Sequence, residues 1–178
     1  MEIKIRRPTL EDASAIYQLF DITVKDTFRQ EGIVEQFEEQ TSTEIDALCS
    51  QLQLDLISNG QSNYFLIAIN NNAIVGTITY GPAGSLITEH LDVDLSQTPE
   101  VKCVYVLPEY QNKGIATQLF KHILQALKNK NYTSYCLDSG YRQAQQYWAK
   151  KLGLPTDVLK NYWPNGNDHM IWLQKIEL

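Results

Sequence analysis

Residues 104–124 read VYVLPEYQNKGIATQLFKHIL. The first four are strand-like, and Pro108 stops the strand because its nitrogen carries no hydrogen for a ladder. From Gly114 the period changes. Ile115, Leu119, Ile123 and Leu127 fall on one helical line, with Ala116, Phe120 and Leu124 beside it. An apolar face that wide must pack on a sheet, which turns the first helical N–H groups back past the strand end. Those groups carry the positive end of the helix dipole and suit an anion. Small residues at Gly114 and Ala116 let a diphosphate approach, and Lys113 adds a positive charge. A glycine alone would mean only an eased turn. The stretch is neither GxGxxG nor a P-loop, since no Gly-Lys-Ser/Thr is present.

Working outward, EIKIRR alternates as a strand with Ile3 and Ile5 on one face. Thr9-Leu10-Glu11-Asp12 is a capping-box pattern opening a helix striped by Ala13, Ile16, Tyr17 and Phe20. Thr43-Glu44-Ile45-Asp46 predicts a second helix start, with a stripe of Ile45, Leu48, Leu52 and Leu56 ending near Asn59-Gly60. Residues 28–40 are polar and are assigned no element. NYFLIAI and AIVGTITY are strands joined through Asn70-Asn71-Asn72, residues that tolerate left-handed backbone, so the pair reads as a hairpin. Gly81-Pro82 ends the second strand. A long connection over residues 83–99 carries Glu89, His90, Asp92 and Asp94. SYCLD is a strand, and RQAQQYWAKKL is a helix stopped by Gly153 with Pro155 beyond. Asn165-Gly166-Asn167 is a turn before the last strand, HMIWLQKI, whose antiparallel partner falls within residues 157–162. Strand-helix-strand order predicts parallel neighbours in the second half, and the hairpin makes the sheet mixed.

A length of 178 residues predicts one domain over residues 1–178 with room for a sizeable core. Hydrophobic content of 43% and charged content of 20% are those of a globular protein. No apolar run approaches the roughly 20 residues of a membrane span, and the N-terminus lacks the apolar centre of a secretory signal. These features predict a cytoplasmic protein without a membrane partner. A net charge of −6 argues against a nucleic-acid partner. Cys49, Cys103 and Cys136 show no metal-site spacing, and Cys103 and Cys136 lie in apolar runs as small buried hydrophobes. His90, His122 and His169 are scattered, so no metal is expected.

Gln111-Asn112-Lys113-Gly114-Ile115-Ala116 resembles the Gln/Arg-x-x-Gly-x-Gly/Ala signature of the GCN5-related N-acetyltransferases. The preceding VYVLPEY and the amphipathic helix are similar to that family's core, and IKIRRPTLEDASAIYQLF to its opening. The resemblance implies an α/β fold with a mixed, centrally splayed β-sheet flanked by helices, and acetyl-CoA as cosubstrate. It implies that Gln111, Asn112, Lys113, Gly114, Ile115, Ala116 and Thr117 form the cofactor-binding loop, with backbone N–H groups from Asn112 to Thr117 on the pyrophosphate and a contact from the Thr117 hydroxyl. Val104, Tyr105 and Val106 would pair by backbone with the pantetheine arm.

The acceptor implied is an amine of a small molecule or peptide. In the family a tyrosine in the pattern Asn-x-x-Ala-x-x-Phe/Leu-Tyr commonly protonates the leaving thiolate. Anchored on Ala144, that position holds Trp148, an indole that donates a hydrogen bond but does no acid chemistry. Tyr147 is one place earlier and is the first acid candidate if the register shifts. Tyr141, at the asparagine position, is the second. The alternative is that Tyr147 and Trp148 are packing aromatics. Glu100 matches a glutamate that deprotonates the amine in many members; otherwise it is an exposed charge at a strand start. Asp138 and Ser139 either bind a cationic amine or cap the following helix. Two other classes stay open at this level: a non-catalytic CoA-binding regulatory module, and a phosphate-binding module unrelated to CoA. A homodimer is common in the family, and the sequence carries no interface signal.

Overall fold

The computed structural model describes residues 2–33 and 37–176, so residues 34–36 of the unassigned 28–40 stretch lie outside it. Its strands are β1 (Lys4–Arg6), β2 (Tyr64–Asn70), β3 (Ala73–Gly81), β4 (Glu100–Val106), β5 (Ser134–Ser139), β6 (Asp157–Leu159) and β7 (His169–Lys175). Its helices are α1 (Ala13–Gln30), α2 (Phe37–Ser58), α3 (Ser85–His90), α4 (Ile115–Asn129) and α5 (Arg142–Leu152). The hydrogen-bonded strand order is β1-β2-β3-β4-β5-β7-β6. The pairing of β4 with β5 is parallel, at Glu100↔Cys136. Pairs β1/β2, β2/β3, β5/β7 and β6/β7 are antiparallel. The fold is therefore α/β with a mixed seven-stranded sheet and helices, as expected from the element order.

The chain forms two compact units. The first is built from residues up to Gly81 with Cys103–Ala126, the second from Pro82–Lys102 with residues from Leu127 onward. The first unit's core comes from Ile16, Leu19 and Phe20 of α1, Leu52 of α2, Phe65 and Ile67 of β2, and Ile115, Leu119 and Ile123 of α4, all buried. These include one line of the α4 stripe read from the sequence. The hairpin is as the asparagines predict: Asn70 pairs with Ala73, and the two loop residues take φ of 47° at Asn71 and 64° at Asn72. The capping box also forms, with the Thr9 N–H donating to Asp12 Oδ2 over 2.7 Å. Arg6 grips the same carboxylate with both guanidinium nitrogens, at 2.7 and 2.9 Å, and holds its pKa down at about 2.

One helix start differs. The second helix begins at Phe37, a turn and a half before Thr43. The Thr43 hydroxyl caps nothing and donates back to Glu39 O at 2.9 Å, the usual outlet for a threonine inside a helix. That helix also buries Asp55 completely. Its Oδ1 pairs with Arg7 and accepts the Phe65 N–H at 2.8 Å, which ties the end of α2 to β1 and β2. Arg7 in turn stacks 4.6 Å above the Tyr64 ring.

In the second unit Ile87, Cys136 and Ile171 form a buried cluster. Ile87 belongs to α3, a short helix inside the connection that the sequence leaves irregular. Gly153 ends α5 at φ 84°, and its carbonyl accepts the indole N–H of buried Trp172 at 3.1 Å. The turn before β7 places Gly166 at φ 78°. Among the described residues no helix is long and apolar enough to cross a membrane.

Candidate active site

In the first unit, the end of β4 leads through a short 3₁₀ turn, Pro108–Tyr110, into α4. Gln111 Nε2 donates to Val106 O at 3.1 Å, so this side chain fastens the loop to the strand it leaves. Asn112 and Gly114 both adopt left-handed backbone, at φ 57° and 78°. The glycine is required by that angle rather than by crowding, because a Cβ built there meets nothing within 4 Å. The first intrahelical bond runs from Gln118 N to Gly114 O at 3.1 Å. Among the described residues no carbonyl accepts from the N–H of Gly114, Ile115 or Ala116. The loop thus presents unpaired donors, open space and the positive end of a 15-residue helix. Lys113 is exposed, with its Nζ 5.2 Å from the centre of the Tyr110 ring. Thr117 is half-buried on the first turn.

Val104, Tyr105 and Val106 are half-buried on β4. The Tyr105 hydroxyl donates to Glu44 Oε1 at 3.0 Å, while the ring stands edge-on to Phe20 at 5.9 Å. Just before them, Cys103 departs from its expected place as a buried strand residue. It is half-buried and has φ 52°, a left-handed kink within β4, and its carbonyl accepts the Thr77 hydroxyl at 2.9 Å. No local signal in the sequence marks that kink.

In the second unit, Glu100 is buried at 7% exposure, which removes the reading of an exposed strand-start charge. Oε2 accepts the Gly84 N–H at 2.8 Å and lies 3.5 Å from Lys102 Nζ. Oε1 has no partner among the described residues. Burial raises the pKa of this carboxyl and Asp138 adds to the rise, while Lys102 opposes it. A carboxylate with one oxygen anchored, one open and a raised pKa is equipped as a base. Cys136, its partner across the ladder, is inert: burial first, then Glu100 and Asp138, push the thiol up to about 12.

Asp138 does not cap α5. Tyr141 occupies that N-cap position, and the Ser139 hydroxyl bonds to the Tyr141 backbone instead. The Asp138 carboxylate faces His169, with Oδ2 3.2 Å from Nε2. Despite the short distance, Nε2 makes no hydrogen bond among the described residues. The Trp163 indole N–H, a donor only, donates to His169 Nδ1 over 3.2 Å. This Trp163–His169–Asp138 series was not foreseen from the sequence, because the three residues come from different elements and a turn.

Of the acid candidates, Tyr141 and Tyr147 are both half-buried. Trp148 is buried at 5% exposure. Tyr147 stands edge-on to it at 4.8 Å, with Lys151 Nζ 5.8 Å from the Tyr147 ring centre.

A family model described as the Acetyltransferase (GNAT) family matches residues 16–154. Among solved structures, the chain is similar to the PaiA N-acetyltransferase of Thermoplasma acidophilum in complex with coenzyme A, at 17% identity and TM-score 0.70, covering 98% of this chain and 100% of that one. It is similar to an N-acetyltransferase from Staphylococcus aureus Mu50, at 20% identity and TM-score 0.68 over 99% and 100% of the two chains. It is also similar to yncA from Salmonella typhimurium with its cofactor acetyl-CoA, at 16% identity and TM-score 0.67 over 100% and 96%. No curated protein sequence matches it.

Proposed function

The chain belongs to the GNAT acetyltransferase family, and on that premise we propose that it is a cytoplasmic enzyme, one domain over residues 1–178, that moves an acetyl group directly from acetyl-CoA to a primary amine of a small molecule or peptide. The observation that carries the donor half is the start of α4. Left-handed Gly114 opens a helix whose N–H groups at Gly114, Ile115 and Ala116 lack acceptors. A diphosphate supplies those acceptors and fills space that no protein atom takes. In this reading Gln111 braces the loop, the backbone from Asn112 to Thr117 holds the pyrophosphate, and Val104, Tyr105 and Val106 pair with the pantetheine arm. Acetyl-CoA supplies the activated thioester.

The chain's own residues then handle protons. Glu100, through its open Oε1 or one water, takes a proton from the acceptor ammonium, and the freed nitrogen bonds to the thioester carbon. The carbon–sulfur bond breaks as the nitrogen sheds its second proton to water, and the thiolate takes a proton from Tyr147, with Tyr141 the second candidate; the phenol regains its proton from solvent. Holding both substrates together supplies much of the rate. Two measurements test the reading. Saturating acetyl-CoA should raise the melting temperature, and a panel of primary amines should release free thiol from it. No thermal shift refutes the donor assignment. A shift with no thiol release from any amine leaves binding and removes the transfer.

A further inference from the structure

Among the described residues, those other than glycine with left-handed backbone are six asparagines, all in turns, and Cys103. Asparagine tolerates that region. Cysteine does not, and Cys103 lies inside β4 at φ 52°. Such a residue keeps its angle only where its surroundings hold it there. The hold comes from β3. Thr77 is 0% exposed, and its hydroxyl donates to Cys103 O at 2.9 Å, the one hydrogen bond that hydroxyl makes among the described residues.

The kink stands immediately before Val104, Tyr105 and Val106, and Leu107 follows them. The Leu107 N–H donates to Val75 O at 3.0 Å. The three residues are thus tied to β3 at both ends, by Thr77 before them and Val75 after. Between the ties β3 presses close: a Cβ on Gly76 would come within 3.0 Å of Tyr105 O and 3.3 Å of Val106 Cγ2. With Tyr105 O turned to β3, strand alternation turns the backbone groups of Val104 and Val106 to the other edge. Gln111 takes one of them, Val106 O. A bulge re-aims the residues beside it, so the angle at Cys103 sets where the backbone groups of Val104 point.

We infer that Thr77 is a positioning residue for the donor: its hydroxyl holds the Cys103 kink, and the kink aims the β4 backbone at the pantetheine arm. The inference rests on the reading that acetyl-CoA lies along Val104–Val106. Isothermal titration calorimetry with acetyl-CoA tests it, with adenosine diphosphate as a probe that lacks the pantetheine arm. Thr77→Val keeps the side-chain shape and removes the donor. Cys103 then relaxes toward ordinary strand angles, and binding has to restore the kink. Acetyl-CoA affinity should fall roughly five- to thirtyfold, the factor that matches one L-residue in the left-handed region, while adenosine diphosphate affinity stays the same. Thr77→Ser should bind as the wild type does. Cys103→Gly added to Thr77→Val should recover most of the loss, because glycine takes this angle without strain. Thr77→Ala reads the same hydroxyl if the valine variant does not fold. An unchanged acetyl-CoA affinity without the hydroxyl, or a double variant no better than Thr77→Val, overturns the inference. So does an equal loss for both ligands, which marks general damage to the site. A wild-type protein that does not bind acetyl-CoA defeats the donor reading and this inference with it, whereas wild-type binding without the Thr77 effect defeats this inference alone.

Discussion

Replacing Gly114 by alanine separates backbone strain from anion binding, because the molecule supplies a matched control. Gly114 and Gly166 both have φ of 78°, and a Cβ at either meets nothing within 4 Å. An L-residue held in the left-handed region costs about 1–2 kcal/mol, offset by about 0.4–1 kcal/mol because alanine narrows the unfolded ensemble. Each variant should therefore lose about 1 kcal/mol, or roughly 2–4 °C in melting temperature for a chain of this size. The two should part company with acetyl-CoA. At about 100 times its dissociation constant a ligand stabilises by about 2.7 kcal/mol, and Gly166→Ala should keep all of it. In Gly114→Ala the methyl enters the space assigned to the diphosphate. A tenfold weaker affinity leaves about 1.4 kcal/mol at the same concentration. The assay is thermal unfolding of the three proteins with and without acetyl-CoA. Equal ligand shifts in both variants would refute the diphosphate cradle. A free-state loss much larger at Gly114 than at Gly166 would refute the premise that only the backbone angle demands glycine.

Three further outcomes are expected. Asp138 raises the Glu100 pKa, so Asp138→Asn should lower it, and the acid limb of kcat/KM against pH, where the base becomes protonated, should move to lower pH; an unmoved limb would take Glu100 out of the base role. Tyr147→Phe should lower kcat roughly 10²-fold or more if Tyr147 is the acid, with acetyl-CoA affinity nearly unchanged, and an unaltered kcat would return Tyr147 to packing. Arg7→Ala strands a fully buried carboxylate at Asp55 and should cost about 3–5 kcal/mol in denaturant unfolding, whereas Arg7→Ala combined with Asp55→Asn should recover part of that loss.

Local chemistry explains what could be read from the chain. Asparagine at positions 71 and 72 announces a two-residue hairpin because few other residues accept those angles, and Thr9 with Asp12 announces a helix start because both partners lie within one turn. Thr43 misled for the same reason in reverse: a capping pattern is equally compatible with a helix interior, where the hydroxyl bonds backward. Around Gly114 the local elements were legible, since the strand end, the glycine and the striped helix are contiguous, while the left-handed angles at Asn112 and Gly114 came from the structure. On the acid–base side little was. Glu100 was named, but its burial depends on Gly84 and Lys102 being brought to it.

By itself, then, the sequence determined the order of the elements other than α3, the hairpin, the helix that opens at Gly114 and the family. Each of those rests on residues close together in the chain. Only the tertiary structure decided that Asp55 is buried with Arg7 and that Glu100 keeps one oxygen open. It alone set the Asp138 carboxylate 3.2 Å from one ring nitrogen of His169 and the Trp163 indole against the other. Those are pairings across long separations, and a carboxylate's protonation, a histidine's tautomer and an aromatic ring's exposure are properties of what surrounds a residue rather than of the residue itself.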